Sequence, residues 1–595
     1  MNIEEKYKWN TKDIYNEKED LEKDIEVILA KTEELKKYKG IIGKSSDNLY
    51  MVNKLDEEIG EIFSKVYAYV MLNHHRDMAE PENLKLYRKV EMLAPKISAE
   101  LAFITPEMLR IDEDVIKGYL KEDERLNRYK RVIEEVLKSK KHVLSEEAET
   151  ILSNYSEVFQ EPENIFTMLS DVDFKFKDID LENGEKGNLT QGTYIKYLTD
   201  KNVNVRKQAF YNMYEMYSKY INTINEIYQT QVKKQAVTAK LRKYNSSLEK
   251  AVDAEDSTVE VYNNLIKTVN ERLDINHKYM KLKKKLLGID DMHMYDIYLN
   301  SLKTEDEYIP YEDAKVIIKN ALAPLGEKYI ATLDKAFENR WIDVYEIPNK
   351  HSGAYSMGVY GVHPYILTNY MGSVNSVSTV AHELGHTMHS YLSNKYQPYI
   401  DSEYTIMVAE VASTVNEILL SEYLIKNEKD KLKKAVLINE QIDEIRATLV
   451  RQTMFAEFEK EVHSKIEQGI ALTSDDLCNY YLELNKKYFG KDVNVDEEIK
   501  YEWARIPHFY TCFYVYKYAT GISSAITIAQ KILSKEEGYV EKYLGMLKKG
   551  GSEKSLDLLR SVEVDLETKK PVENAFNYYE NKINELEKLI EEIKK

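Results

Sequence analysis

Residues 381–390 read AHELGHTMHS, which puts three of the chain's twelve histidines and a glutamate into ten positions. Imidazole and carboxylate are the ligand types of a catalytic zinc ion, and H-E-x-x-H spaces two imidazoles four residues apart. By chance the bare pattern arises in roughly one such chain in forty, so the surrounding residues have to decide. The run SVSTVAHELGHTMHSYLSN reads as helix. On a helix His382 and His386 lie one turn apart on one face, where both can reach a single ion. Glu383 follows about 100° round the helix, placed to act on a water beside that ion without being a ligand itself.

A catalytic zinc takes three protein ligands and keeps its fourth position open. His389 shares the His382 face but stands about 10 Å further along the axis, too far to join the pair, and is left a supporting or substrate-facing role. The next segment, SEYTIMVAEVASTVNEILL, offers Glu403, Glu410 and Glu417. Glu410 is the only acidic residue between Tyr404 and Asn416. An unpaired carboxylate in such apolar surroundings is costly, and a cation would offset the cost. Ala409, Ala412 and Ser413 would let two helices approach closely. Glu403 and Glu417, nearer polar ends, read as solvated. Elsewhere, His74 and His75 are adjacent and make a poor chelating pair. His142, His277, His293 and His463 lack neighbours in a ligand pattern, and His351 and His363 flank a strand-like stretch.

The elements that must hold these residues are mostly helical. With 595 residues the chain exceeds what one hydrophobic core supports, so two or more lobes are expected. Glycine (21) and proline (11) are scarce, which suits helix. NELEKLIEEIKK at the C-terminus carries Ile583, Leu586, Ile590 and Ile593 as an apolar stripe. Two stretches break the pattern. DFKFKDIDLENGEKGNLT, residues 173–190, alternates around Asn183-Gly184 and predicts a β-hairpin, which sets a boundary between an N-terminal helical lobe, 1–190, and a catalytic region, 191–595. Ser352 to Tyr370 is rich in glycine, β-branched and aromatic residues and predicts strand just before the histidines.

A formal charge of −18 argues against nucleic acid as the main partner, and the basic run Lys281 to Lys285 reads as a solvated helix face. The N-terminal residues lack the apolar core of a signal peptide, and no run approaches the roughly 18 apolar residues of a membrane span. Only Cys478 and Cys512 occur, which fits a reducing compartment. A cytoplasmic location is expected.

Taken together, SGAYSMGVYGVHPYILTNY, VSTVAHELGHTMHSYLSN, VAEVAST, WARIPHFYTCFYVYKYATG at 503–521 and KKGGSEKSLDLLRSVEVD at 548–565 resemble oligoendopeptidase F of the thimet-type oligopeptidase family, in that family's order and over nearly the whole chain. The resemblance implies a mainly α fold in which two helical lobes enclose a deep substrate channel, with a small β-sheet next to the zinc helix. It implies an endopeptidase that cleaves internal bonds of short unstructured peptides with one Zn2+ per chain, as a monomer or homodimer without nucleic acid or membrane partners. His382, His386 and Glu410 match the zinc ligands and Glu383 the general base. The segment Gly353, Ala354, Tyr355 would pair with the substrate backbone by edge addition. His508 matches the family's oxyanion-stabilising histidine. The spacing to its tyrosines is shorter than in the thimet branch and does not select among Tyr510, Tyr514 and Tyr516; Tyr514 is taken first, Tyr516 next, and Tyr510 as a substrate contact. Read as helix, this segment would set Tyr510, Tyr514 and Tyr518 on one face. Two other readings remain: a carboxypeptidase that holds a terminal carboxylate through Arg505, and a non-catalytic peptide-binding scaffold, against which the intact Glu383 argues.

Overall fold

Helices dominate the computed structural model, which describes residues 3–302 and 307–595. The chain forms two compact units, each built from separated stretches. Unit 1 comprises Met1–Lys141, Asp306–Tyr423 and Ile528–Glu563, and unit 2 comprises His142–Glu305, Leu424–Thr527 and Val564–Lys595. The boundary expected near residue 190 falls inside unit 2. A turn signal marks local geometry, whereas a unit is defined by which distant stretches pack together.

In unit 1, α1 (Lys18–Lys36) and α2 (Ser46–Arg76) bury matching apolar stripes. Leu21, Ile25, Ile28 and Leu35 of the first meet Leu49, Val52, Ile59 and Val66 of the second in one core. Glu57 sits in that core and is satisfied by the Arg128 guanidinium at 2.6 and 2.9 Å and by the Tyr129 hydroxyl at 2.8 Å. The expected strand region forms β2 (Tyr355–Met357) and β3 (Tyr365–Tyr370), joined by β1 (Ile342–Tyr345). Their order is β1-β3-β2, with β1 parallel and β2 antiparallel to β3, so β2 is an edge strand. Trp9, fully buried, packs on Tyr355 and Tyr365 and covers the sheet.

A buried lysine ties the parallel pair together. Lys350 Nζ lies 2.6 Å from the Asp343 carboxylate of β1 and donates to Tyr345 O at 2.8 Å and Thr368 O at 2.7 Å. Its ammonium is completely enclosed, and burial depresses its pKa although Asp343 opposes the shift. The sheet is followed by α3 (Val374–Tyr396) and α4 (Ile406–Asn427). The later stretch of unit 1 supports α3 from outside: Gln397 Nε2 donates to Lys548 O at 2.8 Å, and Gly551 N–H donates to Asp401 O at 2.9 Å.

In unit 2 the expected hairpin is present but short, pairing Ile179–Asp180 with Lys186–Gly187 across a turn that places Gly184 at φ +81°. The C-terminal helix Lys570–Ile593 buries Ile583, Leu586 and Ile590, while Ile593, about one turn beyond Ile590 at the helix end, stays exposed. The basic run is not uniformly solvated: Lys283 is buried and pairs with Asp443 at 3.1 Å. It occupies the inward face beside Leu282, and its neutralising partner comes from far along the chain. Among the described residues no helix is long and apolar enough to cross a membrane.

Replacing Lys350 with Met strands the Asp343 carboxylate, and stability should fall by about 3–5 kcal/mol. The double variant Lys350→Met, Asp343→Asn should recover much of that loss in denaturant unfolding, because the cost lies in the unpaired charge.

Candidate active site

The helix α3 begins where Ser373 caps it, its hydroxyl accepting the Ser376 N–H at 3.1 Å. Nearly all of its length is then free for packing, and it carries His382 and His386 on one face as the spacing predicts. The two Nε2 atoms face each other at 3.2 Å. Glu410 of α4 supplies the third corner, with Oε2 3.7 Å from His382 Nε2 and 3.9 Å from His386 Nε2. Two imidazole lone pairs can face each other at this distance only with a proton or a cation between them. A carboxylate on the same side favours the cation, so the donor set and its spacing fit a divalent metal with nitrogen and oxygen ligands.

Glu417, expected to be solvated, instead lies with Oε2 3.2 Å from His382 Nδ1. A carboxylate behind a ligating imidazole fixes its tautomer and its orientation. Glu417 is seven residues after Glu410, on the same face of α4, and this repeat was the available signal. Burial lowers the pKa of His382, but the Glu417 hydrogen bond and charge, with Glu383 and Glu410, outweigh it and raise the pKa to about 9. Burial and the His382 charge push His386 down to about 3.

Glu383 is 7% exposed, and its Oε2 has no hydrogen-bond partner. Burial raises its pKa to about 7, against the pull of His382 and with the help of Glu410 and Glu417. It is thus a carboxyl group poised near neutrality with one oxygen free. His389 does not join the cluster. It is buried and stacked on Tyr404 at 3.5 Å between ring centroids.

What brings α3 and α4 together is a glycine inside the motif. A Cβ on Gly385 would lie 2.5 Å from Ser413 Cα, 2.7 Å from Ala412 O and 2.9 Å from Ser413 N. Ala412 and Ser413 were legible as small residues; their partner Gly385 was not singled out. The crossing is pinned by Asn416 Nδ2, which donates to Ala381 O at 3.0 Å, and Asn416 Oδ1 accepts from the Tyr329 hydroxyl at 3.1 Å.

The strand β2 is tied to α3 by Ser356 Oγ and Thr387 Oγ1 at 2.8 Å. Before it, Gly353 takes φ +81°, and Asn369 Nδ2 donates to Gly353 O at 2.8 Å. Gly353 is exposed, and Ala354 and Tyr355 are half-buried. The Tyr355 hydroxyl meets His75 Nδ1 at 3.0 Å, and His351 stacks on the His75 ring at 4.4 Å. Burial and the neighbouring His351 push the His75 pKa down to about 4, so that ring is neutral.

The segment carrying His508 departs from its helical reading. Pro507–Tyr510 is a single 3-10 turn, Phe513 adopts a left-handed φ of 57°, and regular helix begins only at Tyr516. The tyrosines therefore sort differently. His508, Tyr514 and Tyr518 are half-buried and group together, with Tyr518 Oη 3.4 Å from His508 Nε2 and the Tyr514 and Tyr518 rings 5.5 Å apart. Tyr510 is buried and stacks on Phe166 at 4.4 Å, and Tyr516 is buried against Tyr262 at 5.1 Å. Tyr518 is the member that the sequence reading did not select. Arg505 is engaged: it donates to Gln191 Oε1 at 3.2 Å, lies 4.0 Å from Glu502 and sits over the Tyr194 ring.

A helical chain with this donor cluster on crossing helices has the architecture of an H-E-x-x-H peptidase. The family model described as peptidase family M3 matches residues 196–578, and that described as oligopeptidase F matches residues 107–176; the chain belongs to peptidase family M3. It is 40% identical to oligopeptidase PepF of Bacillus subtilis (strain 168), over 98% of this chain and 88% of that one. A crystallised protein from Chlamydophila abortus superposes with a TM-score of 0.92 at 31% identity, covering 99% of both chains. The crystal structure of oligoendopeptidase-F from Enterococcus faecium superposes at 0.74 with 32% identity, covering 97% of this chain and 99% of that one.

Gly385→Ala should lower stability by about 1–3 kcal/mol through overpacking. Because the obstructing atoms are backbone, trimming the neighbour with Ser413→Gly should not restore the thermal midpoint, and this pair of melts checks the crossing directly.

Proposed function

We propose that the chain is a zinc-dependent endopeptidase that hydrolyses internal bonds of short, unstructured peptides, with His382, His386 and Glu410 holding one zinc ion. The observation that carries this reading is the convergence of those three donors beside Glu383, a buried carboxyl group with a free oxygen. Bound there, zinc would supply Lewis acidity, polarising the scissile carbonyl and making a nearby water more acidic.

The chain's own residues do the rest. Glu383 takes a proton from the attacking water and delivers it to the leaving amine, a task suited to a carboxyl group whose pKa lies near 7. Glu417 holds the His382 ring so that Nε2 presents its lone pair. The free edge of β2, with Gly353, Ala354 and Tyr355 leading into it, pairs with the substrate main chain, which binds many sequences alike. His508 and Tyr514 are assigned to donate hydrogen bonds to the oxyanion of the tetrahedral intermediate. Tyr518 orients His508, and the buried Tyr510 and Tyr516 anchor the segment that carries both donors. Arg505 is engaged with Gln191 and Glu502 rather than presented to a terminal carboxylate, which favours endopeptidase over carboxypeptidase action.

The deciding substrate is an internally quenched peptide blocked at both ends, which only an endopeptidase cleaves. Glu383→Gln should retain zinc and peptide binding while turnover falls by roughly 100-fold or more. Near-normal turnover with full zinc would remove Glu383 as the base. Tyr514→Phe should leave zinc bound and lower kcat more than it changes KM, because its hydrogen bond strengthens as the oxyanion forms.

A further inference from the structure

Among the described residues a second group of ligand-type side chains converges, entirely within unit 2: Glu459, His463 and Cys512, whose donor atoms lie within 4.8 Å of one another. Sequence spacing gave His463 no ligand neighbours. The structure supplies them, because Glu459 stands one turn before it on the helix Gln452–Glu467 and Cys512 is brought in by the turn at Phe513. The left-handed Phe513 directs its N–H to Glu459 Oε1 at 2.7 Å.

The surroundings are those of a built site rather than a satisfied core. Glu459 is wholly buried and His463 is 1% exposed, yet Glu459 Oε2 and His463 Nε2 have no hydrogen-bond partner. Buried polar atoms are nearly always paired, so two open ones in one cluster require an explanation. His463 Nδ1 is held by Ser247 Oγ at 2.9 Å, the kind of outer contact that orients a metal-ligating imidazole. Cys512 Sγ has only loose contacts, with Gln231 Nε2 at 3.6 Å and Phe509 O at 3.7 Å. Burial raises the Glu459 pKa to about 8, lowers that of His463 to about 3 and raises that of the Cys512 thiol, so without an ion all three are neutral near pH 7.

We propose that Glu459, His463 and Cys512 form a second metal site, for a borderline or soft divalent ion of the zinc, cobalt and cadmium class. A thiolate, an imidazole and a carboxylate select such ions over magnesium or calcium. As one ion enters, the carboxyl proton of Glu459 and the thiol proton of Cys512 leave, and His463 contributes a neutral lone pair. Two positive charges arrive and two protons depart, so no net charge is added to the interior. The nearby Lys234 and Lys250, which favour the thiolate, therefore do not bar the ion. Tetrahedral ligands sit about 3.3–3.8 Å apart, a spacing that donors already within 4.8 Å of one another reach by small side-chain shifts. The ion would fasten the turn between His508 and Tyr514 to the helix Gln452–Glu467.

The test is a Co2+ titration of metal-stripped protein carrying His386→Ala, which disables the first cluster. Only a thiolate ligand gives cobalt a strong near-ultraviolet charge-transfer band, and the first cluster has no sulfur. The expected result is a band saturating at one Co2+ per chain with release of about two protons, lost in Cys512→Ser and kept in Cys478→Ser. Absence of the band, or its survival in Cys512→Ser, overturns the proposal. Should Cys512→Ser lose its helical circular dichroism, 113Cd resonance on the unaltered chain decides: a thiolate-shifted signal is expected, and signals from nitrogen and oxygen ligation alone overturn it. Neither readout depends on peptidase activity, so failure of the endopeptidase reading would leave them interpretable.

Discussion

The backbone contact between α3 and α4 at Gly385 is the constraint from which the site follows. Two histidines on one helix can make only half of a metal site. The remaining ligand must come from a second helix at a distance that no intervening side chain permits. Glycine in the middle of a helix costs about 1 kcal/mol relative to alanine. Here that cost is offset by an approach close enough to place Glu410 within 4 Å of both imidazoles and Glu417 behind His382. Glu383 is itself buried, and its raised pKa is a consequence of that burial as much as of its charged neighbours.

The sheet serves the same geometry from the other side. An exposed strand edge invites unwanted pairing unless it is short or covered, and β2 is three residues long. Its position is set by the serine–threonine bond to α3 and, through β3, by the buried Lys350 that ties β1 to β3. Under the proposed function, pairing with a peptide main chain needs a rigid edge more than a specific pocket. Lys350 and Asp343, which tie the sheet together, are both buried.

Much of this was legible because it is local. Residue spacing on a helix determined which faces His382, His386 and Glu383 occupy, and the isolated charge in MVAEVAS pointed to Glu410. The misreadings share a different cause, which is partners distant in sequence. Glu417 looks solvated until His382 is set beside it, Lys283 until Asp443 is, and His463 seems isolated until Cys512 is folded against it. The 508–516 segment failed for another reason: a single left-handed residue, Phe513, interrupts a stretch whose composition suits helix, and nothing in the identity of a phenylalanine signals that conformation.

The interleaving of unit 1 bears on how the protein is made. About 150 residues separate His386 from Tyr539, where the stretch that braces α3 through Lys548 and Gly551 begins. At about 5–20 residues per second, a ribosome completes the motif many seconds before it delivers that brace. A nascent chain therefore carries the histidines well before it carries the stretch that braces the C-terminal end of α3. Completion of unit 1 around the motif is in this way deferred until its last stretch, Ile528–Glu563, has been made.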